Sequence, residues 1–363
     1  MNLADFTFQS FRFVLLPFSL IYGGIVWLRN RLYDWGVLDK VSFNLPIICV
    51  GNLSMGGTGK SPMVELLLQY LTPSFKTATL SRGYKRKTKG YVLANDQSTA
   101  LEIGDEPMVF HLKFPQAAVA VGESRIEAIP QLLQDRNDVE VVILDDAFQH
   151  RAIQAGLNIV LTEYGNLFIG DFFLPTGDLR DEISSAKRAH VIVVTKCPVD
   201  LTQTEAENIW KSINPLAFQK LFFTTIAYGS PFHILDPSKK IELHTGMELL
   251  LVTGIANAQP LEKYILERVF TYEKLSYNDH HIFTIDDMRE VEKNFERLHS
   301  SEKLILTTEK DAVRLIKFGN SIQHLPLYVI PIRPLFLFEK EAAFREIVLN
   351  FVTSFKNKAM QTS

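Results

Sequence analysis

Short apolar runs alternate with segments of helical periodicity through the middle of the chain. The runs are expected to form strands at positions 46–50, 77–80, 117–121, 139–144, 157–162 and 190–195. Each run is continuously hydrophobic rather than alternating, which is typical of parallel strands covered on both faces. The pattern predicts an α/β core with a mostly parallel sheet, which we assign to residues 37–225.

A second, shorter set of elements follows. Strands are predicted at 249–253, 303–307 and 327–332, and helices at 260–269 and 285–298. We expect these elements to form a smaller α/β lobe over residues 226–337. Apolar residues at helical spacing over 338–356 predict a last helix within a C-terminal segment, residues 338–363.

The N-terminal segment, residues 1–36, has a different pattern. Positions 13–28 carry no charge. A helix of that length spans about 24 Å at 1.5 Å per residue, less than a hydrocarbon core of about 30 Å. Pro17 and the pair Gly23-Gly24 also disfavour a full membrane crossing.

The small and polar residues of this segment lie within about 40° of one another on a helical wheel: Arg12, Ser19, Gly23 and Asn30. The rest of the helix surface is apolar. A cleaved signal peptide is disfavoured, because Arg29 and Arg31 stand where such a peptide needs a small-residue cleavage site. We interpret the segment as a membrane-surface helix with these arginines at the headgroups, and a buried core or dimer helix is the alternative.

Composition excludes several classes of protein. The chain has 363 residues, with 38 Lys+Arg against 41 Asp+Glu for a net charge of −3. That balance does not fit a generally basic nucleic-acid-binding protein, and 47% hydrophobic residues do not fit a disordered chain. Cys49 and Cys197 are far apart and lack metal-ligand spacing, so a disulfide scaffold and a zinc site are both disfavoured.

The sequence GNLSMGGTGKS at 51–61 indicates a phosphate-binding loop between a strand and a helix. Such a loop needs small residues whose N–H groups face phosphate oxygens, a lysine for the β- and γ-phosphates, and a hydroxyl for Mg²⁺. The candidates are Gly56, Gly57, Thr58, Gly59, Lys60 and Ser61. The strict motif has glycine where this chain has Ser54, so the match is a variant. A plain Gly-rich turn does not explain Lys60 and Ser61 at the helix start.

The apolar run VEVVILDD at 139–146 ends in two acids. Mg²⁺ prefers hard oxygen ligands, and the end of a parallel strand beside a phosphate loop is a suitable place for them. Asp145 and Asp146 are therefore the metal candidates, together with Ser61. The segment TKCP at 195–198 has proline where a guanine-specific GTPase needs aspartate, which favours ATP over GTP.

Several further motifs resemble those of one family, the tetraacyldisaccharide 4′-kinases of lipid A biosynthesis. They are GNLSMGGTGKSP from 51, LSRGYKR at 80–86, GDEP at 104–107, DDAFQHR at 145–151, LPTGDLRDE at 174–182 and NDHH at 278–281. The variant phosphate loop and the apolar N-terminal helix also resemble the family's pattern. One departure follows Arg180, where the family commonly has a single glutamate and either Asp181 or Glu182 can take that role.

The resemblance implies a P-loop kinase that uses ATP and Mg²⁺ to phosphorylate the 4′-hydroxyl of a tetraacylated glucosamine disaccharide 1-phosphate. It places the enzyme at the cytoplasmic face of the inner membrane, as a peripheral or monotopic protein. The expected partners are the acylated disaccharide and the membrane surface, with no nucleic acid and no obligate protein partner. The alternatives are a P-loop ligase or GTPase acting on a soluble substrate and a non-enzymatic nucleotide-dependent membrane switch.

The resemblance also implies catalytic residues. Asp105 in GDEP is the candidate to accept or orient the hydroxyl proton, with His280 as its partner and Asp279 beside it. From the residues alone, Asp105 before Glu106-Pro107 is also a good helix cap, and His280 also fits a loop residue without a task.

Three further basic groups are candidates for phosphate contact. Arg180 follows a loop from which a guanidinium can reach phosphate oxygens, although a surface salt bridge is the alternative. His150 and Arg151 are weaker candidates at a strand-to-helix turn. The basic run 82–89, which includes Tyr84, fits contact with a phosphate or a solvated hairpin equally well.

Overall fold

The computed structural model describes residues 14–362, and their side chains apart from 320 and 358–362. Arg12 of the predicted stripe lies outside the described residues. The strands in chain order are β1 (Ile47–Asn52), β2 (Thr77–Ser81), β3 (Val92–Leu93), β4 (Ala118–Val121), β5 (Val141–Asp145), β6 (Leu157–Glu163), β7 (Val191–Thr195), β8 (Lys220–Tyr228), β9 (Phe232–His233), β10 (Asp236–Lys240), β11 (Glu248–Thr253), β12 (Thr271–Ser276), β13 (Lys303–Thr308), β14 (Leu327–Ile330) and β15 (Ile332–Phe336).

The helices are α1 (Leu16–Asp34), α2 (Lys60–Leu71), α3 (Ala100–Ile103), α4 (Asp105–Lys113), α5 (Arg125–Asp135), α6 (Gln203–Ile213), α7 (Gln259–Leu266), α8 (Ile285–Glu296), α9 (Glu309–Leu315), α10 (Gly319–Ile322) and α11 (Glu341–Thr362). Short 3₁₀ turns lie at Phe168–Gly170, Ile183–Arg188, Ile316–Phe318 and Leu337–Glu339.

Within residues 14–362 the strands form two sheets. The larger has nine strands in the order β15-β8-β7-β6-β1-β5-β2-β4-β3. Its strands pair in parallel from β8 to β4, and only the edge strands β15 and β3 are antiparallel. The predicted mostly parallel α/β sheet is therefore confirmed.

The second sheet has six strands in the order β10-β9-β14-β13-β11-β12, in the described part of the chain. Strands β14, β13, β11 and β12 are parallel neighbours, and β9 and β10 extend the sheet antiparallel. The predicted division at residues 225 and 337 remains a prediction.

The predicted strand 327–332 is wrong, because the chain divides there into β14 and β15, which belong to different sheets. Pro331 stands between them and has no N–H to continue a ladder. The next amide, that of Ile332, donates to Glu309 Oε2 at 3.1 Å instead. The chain thus returns from the smaller sheet to the larger one, where β15 pairs with β8.

Apolar side chains cover both faces of the larger sheet. One core includes α2 and three residues of α11, Phe344, Val348 and Val352. The other includes α5 and the segment around Phe148. This packing fixes β1, β5 and α2, whose ends carry the phosphate-loop candidates.

Helix α1 faces the protein with its small and polar side. Ser19, Gly23 and Asn30 are buried, whereas Ile21 and Ile25 are exposed. The Ser19 hydroxyl donates to Thr176 Oγ1 at 2.7 Å. Among the described residues, no helix has both the length and the apolar character needed to span a bilayer.

Candidate active site

The loop between β1 and α2 has the backbone of a phosphate cradle. Gly56 and Gly59 have φ values of +106° and +86°, in the left-handed region that favours glycine. Thr58 is held from both sides, since Asn52 Nδ2 donates to its Oγ1 and Thr195 Oγ1 donates to its carbonyl, both at 2.9 Å. The loop is therefore anchored to the ends of β1 and β7, two strands of the larger sheet.

Helix α2 begins at this loop without a side-chain cap, because its N-cap residue is Gly59. Its first N–H groups have no partner within the helix, and the helix dipole adds partial positive charge there. Lys60 and Ser61 are the first two helical residues and are partly buried. The helix start thus combines amides, an ammonium group and a hydroxyl suited to phosphate oxygens.

Asp145 ends β5 beside this helix and is buried. Ser81 Oγ donates to its Oδ2 at 3.2 Å, but its buried Oδ1 has no hydrogen-bond partner. Burial, reinforced by the charge of Asp146, raises the pKa of Asp145 to about 6. The charges of Lys60 and Arg125 oppose this shift but do not cancel it.

Asp146 adopts a left-handed backbone with φ of +49°. Its carboxylate lies 3.8 Å from Lys60 Nζ and accepts from Arg180 Nη1 at 3.1 Å. The pKa of Asp146 lies below its usual value. Burial acts to raise this pKa, but the nearby positive charges of Lys60 and Arg180 outweigh burial. Arg180 also donates to Asn52 Oδ1, so it is tied to the phosphate loop.

Ser61 and Asp145 fit a magnesium ion. The unpartnered Asp145 Oδ1 is a buried hard acceptor, and Mg²⁺ is usually held by one or two protein oxygens with phosphate and water completing its shell. Within residues 14–362 no group of three or more His, Cys, Asp or Glu side chains is arranged to hold a metal. A site completed by phosphate agrees with that finding.

Asp105 and His280 lie in contact although they are 175 positions apart. His280 Nδ1 is 2.7 Å from Asp105 Oδ2, and the Asp105 side chain is almost fully buried. Asp105 is the first residue of α4, yet the helix has Gly104 as its N-cap and no side-chain cap hydrogen bond. Its carboxylate is therefore directed to His280 rather than to the helix start.

Helix α9 supplies two cations that the sequence reasoning missed. Arg314 Nε donates to Asp105 Oδ1 at 2.6 Å, and Lys310 Nζ lies 3.2 Å from His280 Nε2. Lys310 also donates to Asp279 Oδ1 at 2.9 Å. Their spacing of four places them on one face of a helix that follows a buried strand, but that local pattern does not indicate Asp105 or His280 as their partners.

The phosphate-loop cluster and the Asp105–His280 cluster are neighbours. Glu106 follows Asp105 and lies 3.6 Å from Lys310. Its charge also acts on Lys60 and Asp145 and contributes to the pKa of each. The charge of Glu106 therefore links the two clusters.

Three of the other predicted site residues, Asp181, Glu182 and Arg151, contact helix α1. Asp181 and Glu182 both accept from Asn30 Nδ2, at 2.8 and 2.7 Å, so both acids fasten α1. Arg151 donates to Asn30 O at 2.9 Å and also holds α1.

Two further candidates lie elsewhere. His150 has a buried Nδ1 without a hydrogen-bond partner. In the basic run, the Tyr84 ring lies 5.5 Å from the His280 ring.

A family model described as LpxK, tetraacyldisaccharide-1-P 4′-kinase, matches residues 11–353 of the chain. The chain belongs to this kinase family. Membership makes it a phosphotransferase, so the ligase, GTPase and non-enzymatic alternatives are set aside. The family predicted from the motifs is confirmed.

Relatives match over nearly their whole length. A tetraacyldisaccharide 4′-kinase from Bacteroides thetaiotaomicron is 42% identical, with 93% of this chain and 92% of the relative covered. One from Flavobacterium psychrophilum is 43% identical, with 94% and 97% covered.

A solved structure also matches. It is the "apo" form of LpxK from Aquifex aeolicus in complex with ATP, with a TM-score of 0.70 and 25% identity. The match covers 94% of this chain and 99% of that chain. The kinase fold of the larger sheet is thus shared with a family structure that holds ATP.

Proposed function

We propose that this kinase transfers the γ-phosphoryl group of ATP to the 4′-hydroxyl of a tetraacylated glucosamine disaccharide 1-phosphate in lipid A biosynthesis. The observation that carries the proposal is the 2.7 Å contact of Asp105 with His280, in a chain that also has a phosphate loop ending in Lys60 and Ser61. A proton-accepting pair and a phosphate loop are the two parts that phosphoryl transfer to a hydroxyl requires.

On the donor side, the amides of residues 57–61 and Lys60 bind the β- and γ-phosphates. Protein groups in phosphoryl transfer chiefly position the reactants and offset charge on the transferred group. Ser61 and Asp145 would hold Mg²⁺, which would supply positive charge to offset that of the phosphates. The buried Asp145 Oδ1 supports this role, because it has no hydrogen-bond partner and is a hard oxygen acceptor.

Arg180 is the second phosphate-binding cation. Asp146 and Asn52 hold its guanidinium beside Lys60, while its buried Nε has no hydrogen-bond partner. Preorganised donors of this kind stabilise charge that develops in the transition state. Asp146 sets the positions of both cations.

On the acceptor side, Asp105 and His280 take up the proton of the attacking hydroxyl as one unit. A carboxylate alone is a weak base for a sugar alcohol at neutral pH, and an imidazole in contact with it can orient it or share the proton. Their 2.7 Å contact supports this division of roles. Asp279, near His280 Nε2 at 3.5 Å, holds Lys310 in place.

We further propose that α1 rests on the cytoplasmic face of the inner membrane as a peripheral or monotopic anchor. Its outward side chains are apolar, with Phe18, Leu20, Ile21 and Ile25 each more than 60% exposed. Its polar stripe packs on the protein through the contacts of Ser19 with Thr176 and of Asn30 with Asp181, so the apolar face is left for lipid. An acylated acceptor resides in the same place.

Two measurements test the proposal. The full-length protein, labelled ATP, Mg²⁺ and detergent-dispersed tetraacyl disaccharide 1-phosphate should give a product one phosphate heavier, and failure to form it contradicts the assigned reaction. For the anchor, Ile21→Ser/Ile25→Ser should reduce binding to anionic vesicles. Val199→Ser, which changes an equally exposed residue elsewhere, should not, and equal binding of both variants contradicts the anchor.

A further inference from the structure

The His280 ring lies between two ion pairs, and α9 contributes the cation of each. On the Nδ1 side are Asp105 and Arg314, and on the Nε2 side are Asp279 and Lys310. Both imidazole nitrogens thus face a carboxylate and a cation. This arrangement is unusual for a loop residue, and His280 also adopts a left-handed backbone with φ of +66°.

We propose that Arg314 and Lys310 are positioning residues for phosphoryl transfer, which align the proton-accepting Asp105–His280 pair from opposite sides of the ring. The inference rests on the proposed function, because it assigns these cations to the acceptor side of that reaction.

Arg314 joins the two halves of the pair directly. Its Nε and Nη2 donate to the two carboxylate oxygens of Asp105, and its Nη1 donates to His281 O at 2.6 Å. A planar fork fixes a carboxylate in a way that a single ammonium does not. Arg314 and His281 follow strands of the smaller sheet, and Asp105 follows β3 of the larger. The fork therefore sets the carboxylate only when the sheets are together.

Lys310 acts on the other nitrogen. Its ammonium lies 3.2 Å from His280 Nε2, where an ammonium can only donate. In a neutral ring this contact makes Nε2 the acceptor and leaves the proton at Nδ1, where Asp105 Oδ2 lies at 2.7 Å and the competing Arg314 Nη2 donor is farther away, at 3.2 Å. Lys310 therefore favours the tautomer in which Asp105 is hydrogen-bonded to the ring.

The first turn of α9 is itself fixed. Asp311 is buried, and its Oδ2 accepts from Gly254 N at 3.0 Å and from Thr308 Oγ1 at 2.7 Å. Lys310 and Arg314, four positions apart, project from the same side of this short helix, whose first turn is anchored. Rigid support of this kind is what a residue needs in order to position another.

The test compares four variants of the full-length protein: Arg314→Met, Arg314→Lys, Lys310→Met and, as control, Arg289→Met. Arg289 is an exposed arginine of α8 that pairs with Asp286. The measurements are kcat, KM for ATP and for the acceptor, ATP binding, Tm and the pH profile of kcat.

We expect Arg314→Met to lower kcat by about 10- to 100-fold, a part of the roughly 10²- to 10⁴-fold effect of a general base. ATP binding should stay unchanged because the phosphate loop is intact. The groups around the pair are Asp279, Glu106, Lys310, Arg314 and the Tyr84 ring. Loss of one positive charge from this set makes protonation of the pair easier, so the acidic limb of the kcat profile should move to higher pH.

Lys310→Met should move the limb in the same direction with a smaller loss of kcat. Arg314→Lys keeps the charge but not the fork, so it should return the limb to the wild-type position and recover only part of kcat. Arg289→Met should match wild type.

The possible failures are distinguishable. A wild-type protein that forms no phosphorylated acceptor contradicts the proposed function. If the wild type is active and Arg314→Met has the same kcat and pH profile as the wild type, the positioning role is overturned. The role is also overturned if kcat, ATP binding and Tm fall together while the pH limb stays in place, since that pattern is structural. If Arg314→Met does not fold, Arg314→Lys decides by the same criteria.

Discussion

Gly23 of α1 and Phe173 pack so closely that a Cβ built at Gly23 would stand 2.7 Å from the Phe173 ring. Phe173 belongs to the loop that leads to Arg180, so this contact ties the outer helix to the loop that carries a phosphate-binding candidate. Gly24, the next residue, has open space around its Cβ position. The two glycines are therefore a matched pair on one helix.

Gly23→Val should weaken the docking of α1 and lower kcat, because the added side chain displaces Phe173. Overpacking of this kind costs about 1–3 kcal/mol. The measurement is Tm and kcat for Gly23→Val and Gly24→Val side by side. Equal effects of the two substitutions would contradict close packing as the cause.

Lys60→Ala and Asp146→Ala should each lower kcat by about 10²- to 10³-fold, the effect of losing one preorganised charge interaction. Steady-state transfer to the lipid acceptor measures this. Lys211→Ala, at an exposed site on α6, serves as the control. Near-normal turnover by either folded variant is incompatible with a phosphate site at this loop.

Asp145→Asn should raise the Mg²⁺ concentration needed for half-maximal rate by at least about tenfold, since second-shell changes alone cost about 10- to 100-fold in metal affinity. The amide keeps the shape but not the charge of the carboxylate. A titration of Mg²⁺ at fixed ATP measures the shift. An unchanged requirement would assign the metal to other oxygens.

The phosphate-loop side of the site follows from local sequence, because a strand, a Gly-rich turn and a helix start place Lys60 and Ser61 within one short segment. The acids at 145 and 146 follow in the same way from the end of a buried strand. Arg314 could not be found like this, since it stands 209 positions from Asp105 and meets it only through packing of the two sheets. Its role depends on tertiary structure that no local pattern encodes.

Some parts of the fold could likewise be predicted from the sequence and others could not. Continuous apolar runs predicted the buried parallel strands, whereas β10 and β12 lie at sheet edges and are largely polar, so hydrophobicity does not mark them. The break at Pro331 was hidden because both flanking segments are apolar. Hydrophobic pattern reports burial, and it does not report which sheet buries a strand.

A buried charge cluster joins the sheets at a second place. Lys113 Nζ pairs with both Glu65 on α2 and Glu309 on α9. Burial, followed by the charge of Glu309, raises the pKa of Glu65 to about 7, although Lys113 opposes the shift. Two carboxylates thus share one ammonium.

This cluster predicts a pH-dependent stability. The ordinary pKa of a glutamate is about 4.3, so between that pH and about 7 the folded protein binds a proton that the unfolded chain does not. The folded state therefore loses stability as pH rises through this window. Glu65→Gln removes the titration, so its stability relative to wild type should rise between pH 5 and pH 8.

Denaturant unfolding at several pH values measures this difference. Glu296→Gln, at an exposed site on α8, is the control and should track wild type throughout. If the difference in unfolding free energy between Glu65→Gln and wild type stays constant with pH, the raised pKa of Glu65 is contradicted.

Asp105 and His280 should behave as one unit in a double-mutant cycle on kcat. Asp105→Ala should lower kcat by about 10²- to 10⁴-fold with little change in KM for ATP, because a base acts on the chemical step and leaves nucleotide binding alone. His280→Ala should lower kcat less. Once the carboxylate is gone the imidazole has nothing to orient, so the double variant should resemble Asp105→Ala alone. Losses that multiply would mean two independent roles, and a full-rate Asp105→Ala enzyme would return Asp105 to a structural role at the start of α4.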